Sequence, residues 1–136
     1  MSDTSPNTRR LPQAIAANAL FSFTSGTVFM LARDVLIPHI PLPPLLWTLL
    51  GACLIAFSVQ LAFMVKNRAW AEKLIVPVIL SDIAWVVLTS IALVCYQSQL
   101  SGPGIALIVG VNLVVATLAW FQAQAYLKKR TKIKVA

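Results

Sequence analysis

An all-α membrane fold, a bundle of four transmembrane helices in up-down order, is what this sequence predicts. Three observations carry the expectation. Of 136 residues, 59% are hydrophobic and only 11% are charged, with a mean hydropathy of +0.83. Soluble domains usually carry about 25% charged residues, and so short a chain cannot hide this much apolar surface from water. Secondly, four apolar runs have the length that a membrane crossing needs, about 20 residues. Thirdly, the cations fall on one side of those runs. Together these exclude an ordinary soluble enzyme, a disordered segment and a disulfide scaffold.

The runs cover residues 14–32, 45–65, 74–96 and 104–127. Residues 1–13 form a short leading segment and residues 128–136 a basic tail. Transmembrane strands would alternate polar and apolar residues over about 10 positions; these runs do not. Short connections make consecutive helices antiparallel neighbours. Pro12 suits the first turn of a helix, where its missing N–H leaves no bond unmade. The segment from Ile37 to Pro44 holds four prolines in eight residues, so it cannot be helical throughout. Its apolar character places it against the membrane interface. Ser101-Gly102-Pro103-Gly104 is a turn signal between the third and fourth runs.

Orientation follows from charge. Arg9 and Arg10 precede the first run; Lys66, Arg68 and Lys73 fill the connection after the second; Lys128, Lys129, Arg130, Lys132 and Lys134 follow the fourth. That is ten of the eleven basic residues on one side, against Arg33 on the other. Both termini are expected in the cytoplasm, with the chain in a bacterial inner membrane. Trp47 and Tyr96 then mark the outer border and Trp70 and Tyr126 the inner one, as an aromatic belt requires. The first run exceeds a usual signal-peptide core and reads as a retained anchor. Cys53 and Cys95 differ in level by roughly 10 Å, too far for a disulfide, and read as small packing residues.

Polar side chains inside the runs are the natural place for function, because hydrocarbon offers them no partner. Asp82 is the one carboxylate there, about 12 Å into the third run. An ionised aspartate at such depth costs about 2.5–3.5 kcal/mol, so a protonated or hydrogen-bonded Asp82 is expected. Asn18, Ser22 and Ser25 share one helical face of the first run, and Gln60 lies near the same level on the second. Asn112 on the fourth sits somewhat higher, and Trp85 follows Asp82 by three residues. Pro77 frees the carbonyl of Lys73 one turn earlier. One reading makes this cluster a ligand or coupling-ion site centred on Asp82, with Trp85 stacking on a cation. The other makes it interhelical hydrogen-bond glue.

Small residues mark packing faces: Thr48, Ala52 and Ala56 with Gln60 on the second run, Ser22 and Gly26 on the first, and Asn112, Ala116, Ala119 and Ala123 on the fourth. Such stripes serve equally for contact within the bundle or between copies. Arg33 and Asp34 offset one another beside the proline-rich segment. His39 is the sole histidine, so neither a metal site nor a bis-histidine haem can be assembled. No cofactor is expected. The lysines and arginine of the tail, Lys128, Lys129, Arg130, Lys132 and Lys134, abut a membrane span and are read as contacts to anionic lipid headgroups rather than to nucleic acid.

Phosphate-binding loops, dinucleotide fingerprints, nucleophile elbows and zinc-protease helices are absent, and no internal repeat emerges. Small multidrug transporters carry an acid in their first helix and fluoride channels carry Thr-Thr-Phe-Ser-like segments; this chain has neither. With Leu46-Trp47-Thr48-Leu49-Leu50-Gly51 opening the second run and Ser81-Asp82-Ile83-Ala84-Trp85-Val86 in the third, it resembles uncharacterised small four-helix inner-membrane proteins of bacteria. That resemblance implies a fold and no activity. The leading expectation is a non-enzymatic multi-pass protein that works through helix contacts with itself or a larger membrane complex. Its rival is a small homo-oligomeric carrier using Asp82, and a third idea is a lipid or quinone module built on Trp85, Trp120 and the apolar proline-rich loop.

Overall fold

A computed structural model describes residues 6–135, and every regular element in it is helical. The elements are α1 (Pro6–Leu31), a single turn α2 (Arg33–Leu36), α3 (Pro44–Lys66), α4 (Arg68–Tyr96) and α5 (Gly102–Val135), with a 3-10 turn at Gln97–Gln99. Four of these helices are long and apolar enough to cross a membrane. Only 11% of the most apolar stretch of α4 is buried inside the chain. Leu80, Val87, Leu88 and Ile91 face outward, a surface that water would not tolerate and lipid does. The protein is a multi-pass membrane protein.

Local chemistry sets the helix ends. Pro43 and Pro44 open α3, the second at the first helical position, where the fixed φ is already helical. Asn67 alone separates α3 from α4, and its Oδ1 accepts from the backbone N–H of Ala69 at 3.1 Å and Trp70 at 3.4 Å. Lys66, Arg68 and Lys73, expected in a loop, are therefore held on two helix ends around one capping residue. The first helix also differs from expectation. It starts at Pro6, and Pro12 lies inside it. Pro6 takes the first-turn role, and helix continues through Pro12 without a break. At the other terminus α5 carries on past the apolar run, so the basic tail is helical to Val135. Pro77 is likewise accommodated inside α4, with the Ser81 hydroxyl donating to the Pro77 carbonyl at 2.8 Å.

The four long helices form a ring in which α1 touches α3 and α5, and α4 touches α5 and α3. Helices α1 and α4 thus face each other across a diagonal. The closest pairing is α1 with α3, made through two glycines. A Cβ on Gly26 would sit 2.7 Å from the Gly51 carbonyl oxygen, and one on Gly51 would sit 2.7 Å from that of Gly26. This reciprocity means each glycine admits the other helix's backbone, as small residues do in membrane helix pairs.

Two apolar cores fill the bundle. Near the end that carries the termini, Leu11, Ile15, Leu61, Met64, Ala71, Ile75 and Val78 pack together. At the opposite end Phe29, Ile40 and Trp47 form a second cluster, with Trp47 edge-on to Phe29 at a ring distance of 5.0 Å. Trp47 is buried, so it is a core residue rather than part of an interfacial belt; Trp70 and Tyr96 are exposed. The proline-rich segment folds back onto the start of α5. There the Ser101 N–H donates to the His39 carbonyl at 3.1 Å, and the His39 ring bonds the Ser101 hydroxyl at 2.8 Å. Gly104 has no room for a side chain because that same carbonyl covers it.

Gly26→Ala is expected to destabilise the bundle by about 1–3 kcal/mol, the usual cost of overpacking. Gly110, whose Cβ would meet nothing within 4 Å, should accept alanine with a gain of about 0.5–1 kcal/mol from helix propensity. Unfolding by SDS in mixed micelles, followed by far-UV circular dichroism, checks both.

Candidate functional site

Joined through Asn67, α3 and α4 pack closely at that end, where Leu61 and Met64 meet Ala71, Ile75 and Val78. Farther along they border a partly open cavity of about 250 Å³, walled by Leu54 and Phe57 of α3, Asp82 and Trp85 of α4, Asn18 of α1 and Val115 of α5. Ser22 and Ser25 also line it. Five of the sequence-predicted residues, Asn18, Ser22, Ser25, Asp82 and Trp85, therefore share one chamber.

Asp82 is 6% exposed and Asn18 1%. The Asn18 Nδ2 donates to Asp82 Oδ2 at 2.7 Å, which ties α1 to α4 across the diagonal. Ser22, one turn along α1, donates to Asn18 Oδ1 at 3.3 Å and so fixes which edge of the amide faces the carboxylate. Helical spacing explains the pair: residues four apart on α1 stack on one face. No cation approaches Asp82 among the described ion pairs, which join Arg33 to Asp34, Arg68 to Glu72 and Lys129 to Glu72.

A second cavity, about 370 Å³, continues toward the proline-rich end. Phe29, Leu50, Trp85 and Val111 belong to both linings, so the two are separated only by these side chains. Asn112 lies in the second. It is 9% exposed, its Oδ1 accepts from the Thr89 hydroxyl at 2.7 Å, and its Nδ2 donates to Ser90 Oγ at 3.2 Å. This is a polar cluster distinct from that of Asp82, one turn beyond Trp85.

Gln60 does not join either. It is exposed, as are Ala52 and Ala56. The bundle-facing row of α3 is Trp47, Gly51, Ser58 and Leu61 instead; Ala52, Ala56 and Gln60 look outward, while Thr48 is half-buried and its hydroxyl accepts from Arg33 at 2.9 Å. Ala116 is exposed as well, whereas Ala119 is buried. Trp120 is 64% exposed on the outer face of α5, away from Trp85, which removes the basis for a site shared by those two rings. Lys128, Lys129, Arg130, Lys132 and Lys134 extend along the last turns of α5; Lys129 reaches Glu72 on α4 at 2.7 Å, and Arg130 lies over the Tyr126 ring at 5.8 Å.

One residue escaped the sequence reading. Gln122 on α5 is 0% exposed, and neither its Oε1 nor its Nε2 finds a partner among the described residues. It continues the inward row Asn112, Val115, Ala119, and that spacing was the available signal. The described residues include no group of His, Cys, Asp and Glu that could hold a metal ion. In comparison with known proteins the chain matches no family model, no curated protein and no solved structure.

An unpaired buried amide costs about 1–3 kcal/mol. Gln122→Met, close in shape and without polar atoms, should therefore raise stability toward SDS by that order. Equal or lower stability in the methionine variant would show that the amide is satisfied in the membrane.

Proposed function

We propose that this protein is a non-enzymatic binding protein or small carrier for membrane-soluble amphiphiles with a cationic or hydrogen-bonding head. The head meets Asp82, the apolar part lies along Trp85 toward the proline-rich end, and both termini face the cytoplasm in a bacterial inner membrane. One observation carries the reading: the sole carboxylate within the spans lines a cavity that shares the walls Phe29, Leu50, Trp85 and Val111 with a second, mostly apolar one. A carboxylate accepts a charge-assisted hydrogen bond from an ammonium head better than any neutral group present. Trp85, on the same face, offers its ring to the same cation. The strong bias of cations to one end supports the orientation.

Dodecylamine serves as a probe, titrated calorimetrically into detergent-solubilised protein. Binding is expected to weaken as the pH falls and the carboxylate takes up its proton. Asp82→Asn keeps the shape and the contact with Asn18 but should bind about tenfold or more weakly and without pH dependence, since hydrogen bonds to charged groups contribute about 1.5–3 kcal/mol. Unaltered affinity across pH in this variant overturns the reading.

A second reading, helix contact with another copy of the chain, is favoured by Gln60. Its amide points out of the bundle on a face with Ala52 and Ala56, and a symmetry-related Gln60 can supply both the donor and the acceptor it lacks in lipid. Native mass spectrometry of the protein released from its membranes should then show a homodimer that Gln60→Leu reduces to monomer. A dimer that survives the substitution removes α3 as the contact.

A further inference from the structure

At the end that carries the termini, the four long helices leave a pocket of about 450 Å³. Its rim bears six cations: Arg10 from α1, Lys66 from α3, Arg68 from α4, and Lys128, Lys129 and Lys132 from α5. Leu11, Ile15, Met64 and Ala71, all buried, and Ala125 form an apolar floor. The described acid in reach is Glu72, which binds Lys129 at 2.7 Å and Arg68 at 3.7 Å, and one carboxylate cannot balance six cations. Residues far apart in sequence thus converge on one concave surface, which is more than a diffuse basic tail. Arg130 and Lys134 of that tail are not part of it.

We infer that this pocket is a discrete site for the phosphate headgroup of an anionic phospholipid. Charge complementarity selects the headgroup: each cation near a membrane surface favours anionic lipid by about 1 kcal/mol, and guanidinium groups such as Arg10 and Arg68 take phosphate oxygens in pairs. The apolar floor selects a lipid over a free anion, because Leu11, Ile15 and Met64 offer an inorganic phosphate nothing, whereas glycerol and the first acyl methylenes of a lipid would cover them. The site sits at the border of the apolar runs, the level at which lipid phosphates lie. It is independent of the chamber at Asp82, from which the packed side chains of Leu61, Ile75 and Val78 separate it.

The test is native mass spectrometry of the whole protein in mild detergent, titrated with phosphatidylglycerol or phosphatidylcholine. One phosphatidylglycerol should bind per chain in preference to phosphatidylcholine. Arg10→Gln with Arg68→Gln should weaken that binding about thirtyfold, the effect of two such charges. Arg130→Gln with Lys134→Gln, which removes two tail charges outside the pocket, should leave it nearly unchanged. The inference is overturned if the outside pair costs as much as the inside pair, if phosphatidylcholine binds equally well, or if added inorganic phosphate displaces the lipid. The last result would identify a site for free phosphate. All four substitutions lie on exposed or rim positions, so folding, read by circular dichroism, is expected to be intact; a rim variant that fails to fold moves the comparison to the single substitution Arg10→Gln, with the same criteria.

Discussion

The hydrogen bond from Asn18 to Asp82 is the interaction around which the bundle is arranged. It is a buried polar tie between α1 and α4, which face each other across the ring, and it adds to the apolar packing of Leu11 and Ile15 with Ala71, Ile75 and Val78. In hydrocarbon, polar side chains without partners are expensive, so this pair favours one helix order over others that the same four apolar stretches would tolerate. Magnitudes show what a carboxylate at this depth costs. An interhelical polar bond contributes about 0.6 kcal/mol and at most about 1.7, while an ionised aspartate at such depth costs about 2.5–3.5 kcal/mol. An asparagine or serine at position 82 would join the helices more cheaply.

The arrangement of small residues follows from the same constraint. For α1 to present Asn18 and Ser22 to the interior, its backbone must lie close to α3, and the reciprocal contact of Gly26 with Gly51 allows this. Beyond that contact, α3 and α4 do not close on one another, and the aromatic side chains of Phe29 and Trp85 occupy the gap with space on either side.

Much of this was legible in the sequence, and what was not has a physical reason. Four spans could be read because lipid imposes a length on every apolar helix, whereas Gly102, Pro103 and Gly104, read as part of a turn, already belong to α5. The chamber residues Asn18, Ser22, Ser25, Asp82 and Trp85 were legible because each is chemically unusual at its depth. Depth, however, says nothing of azimuth. Gln60 lies at a suitable level but on the wrong side of α3, since the row chosen by small size, Thr48 to Gln60, is turned by one residue, about 100°, from the row that packs, Trp47 to Leu61. A lipid-facing alanine and a helix-facing alanine look alike in a chain that is apolar on all sides. Trp47 was misplaced for the same reason: a tryptophan near a span end serves an interface or a core equally well. Gln122 was overlooked because a glutamine close to a basic border resembles an interfacial residue.

The two ends of the bundle differ in a way that bears on mechanism. Between the chamber and the basic pocket lies a packed layer: on α3 Phe57 lines the chamber and Met64 the pocket, with Leu61 between them; on α4 Ile75 and Val78 separate Asp82 from Ala71; on α5 Gln122 separates Val115 from Ala125. Toward the proline-rich end only Trp85, Phe29, Leu50 and Val111 intervene before the second cavity. The packing on the two sides of Asp82 is therefore asymmetric. A protein that only binds its ligand needs nothing more than this. A carrier must also part the packed layer, where Ser58 is bonded to the Ile55 carbonyl and the buried amide of Gln122 has no partner among the described residues. An apolar layer closed by dispersion alone would separate only by exposing hydrocarbon to water. A layer with an unpaired amide in it has already accepted the cost of a buried polar group, and opening gives that group a water to bond. An unpaired Gln122 amide therefore leaves the closed layer less stable than an all-apolar layer of the same shape would be.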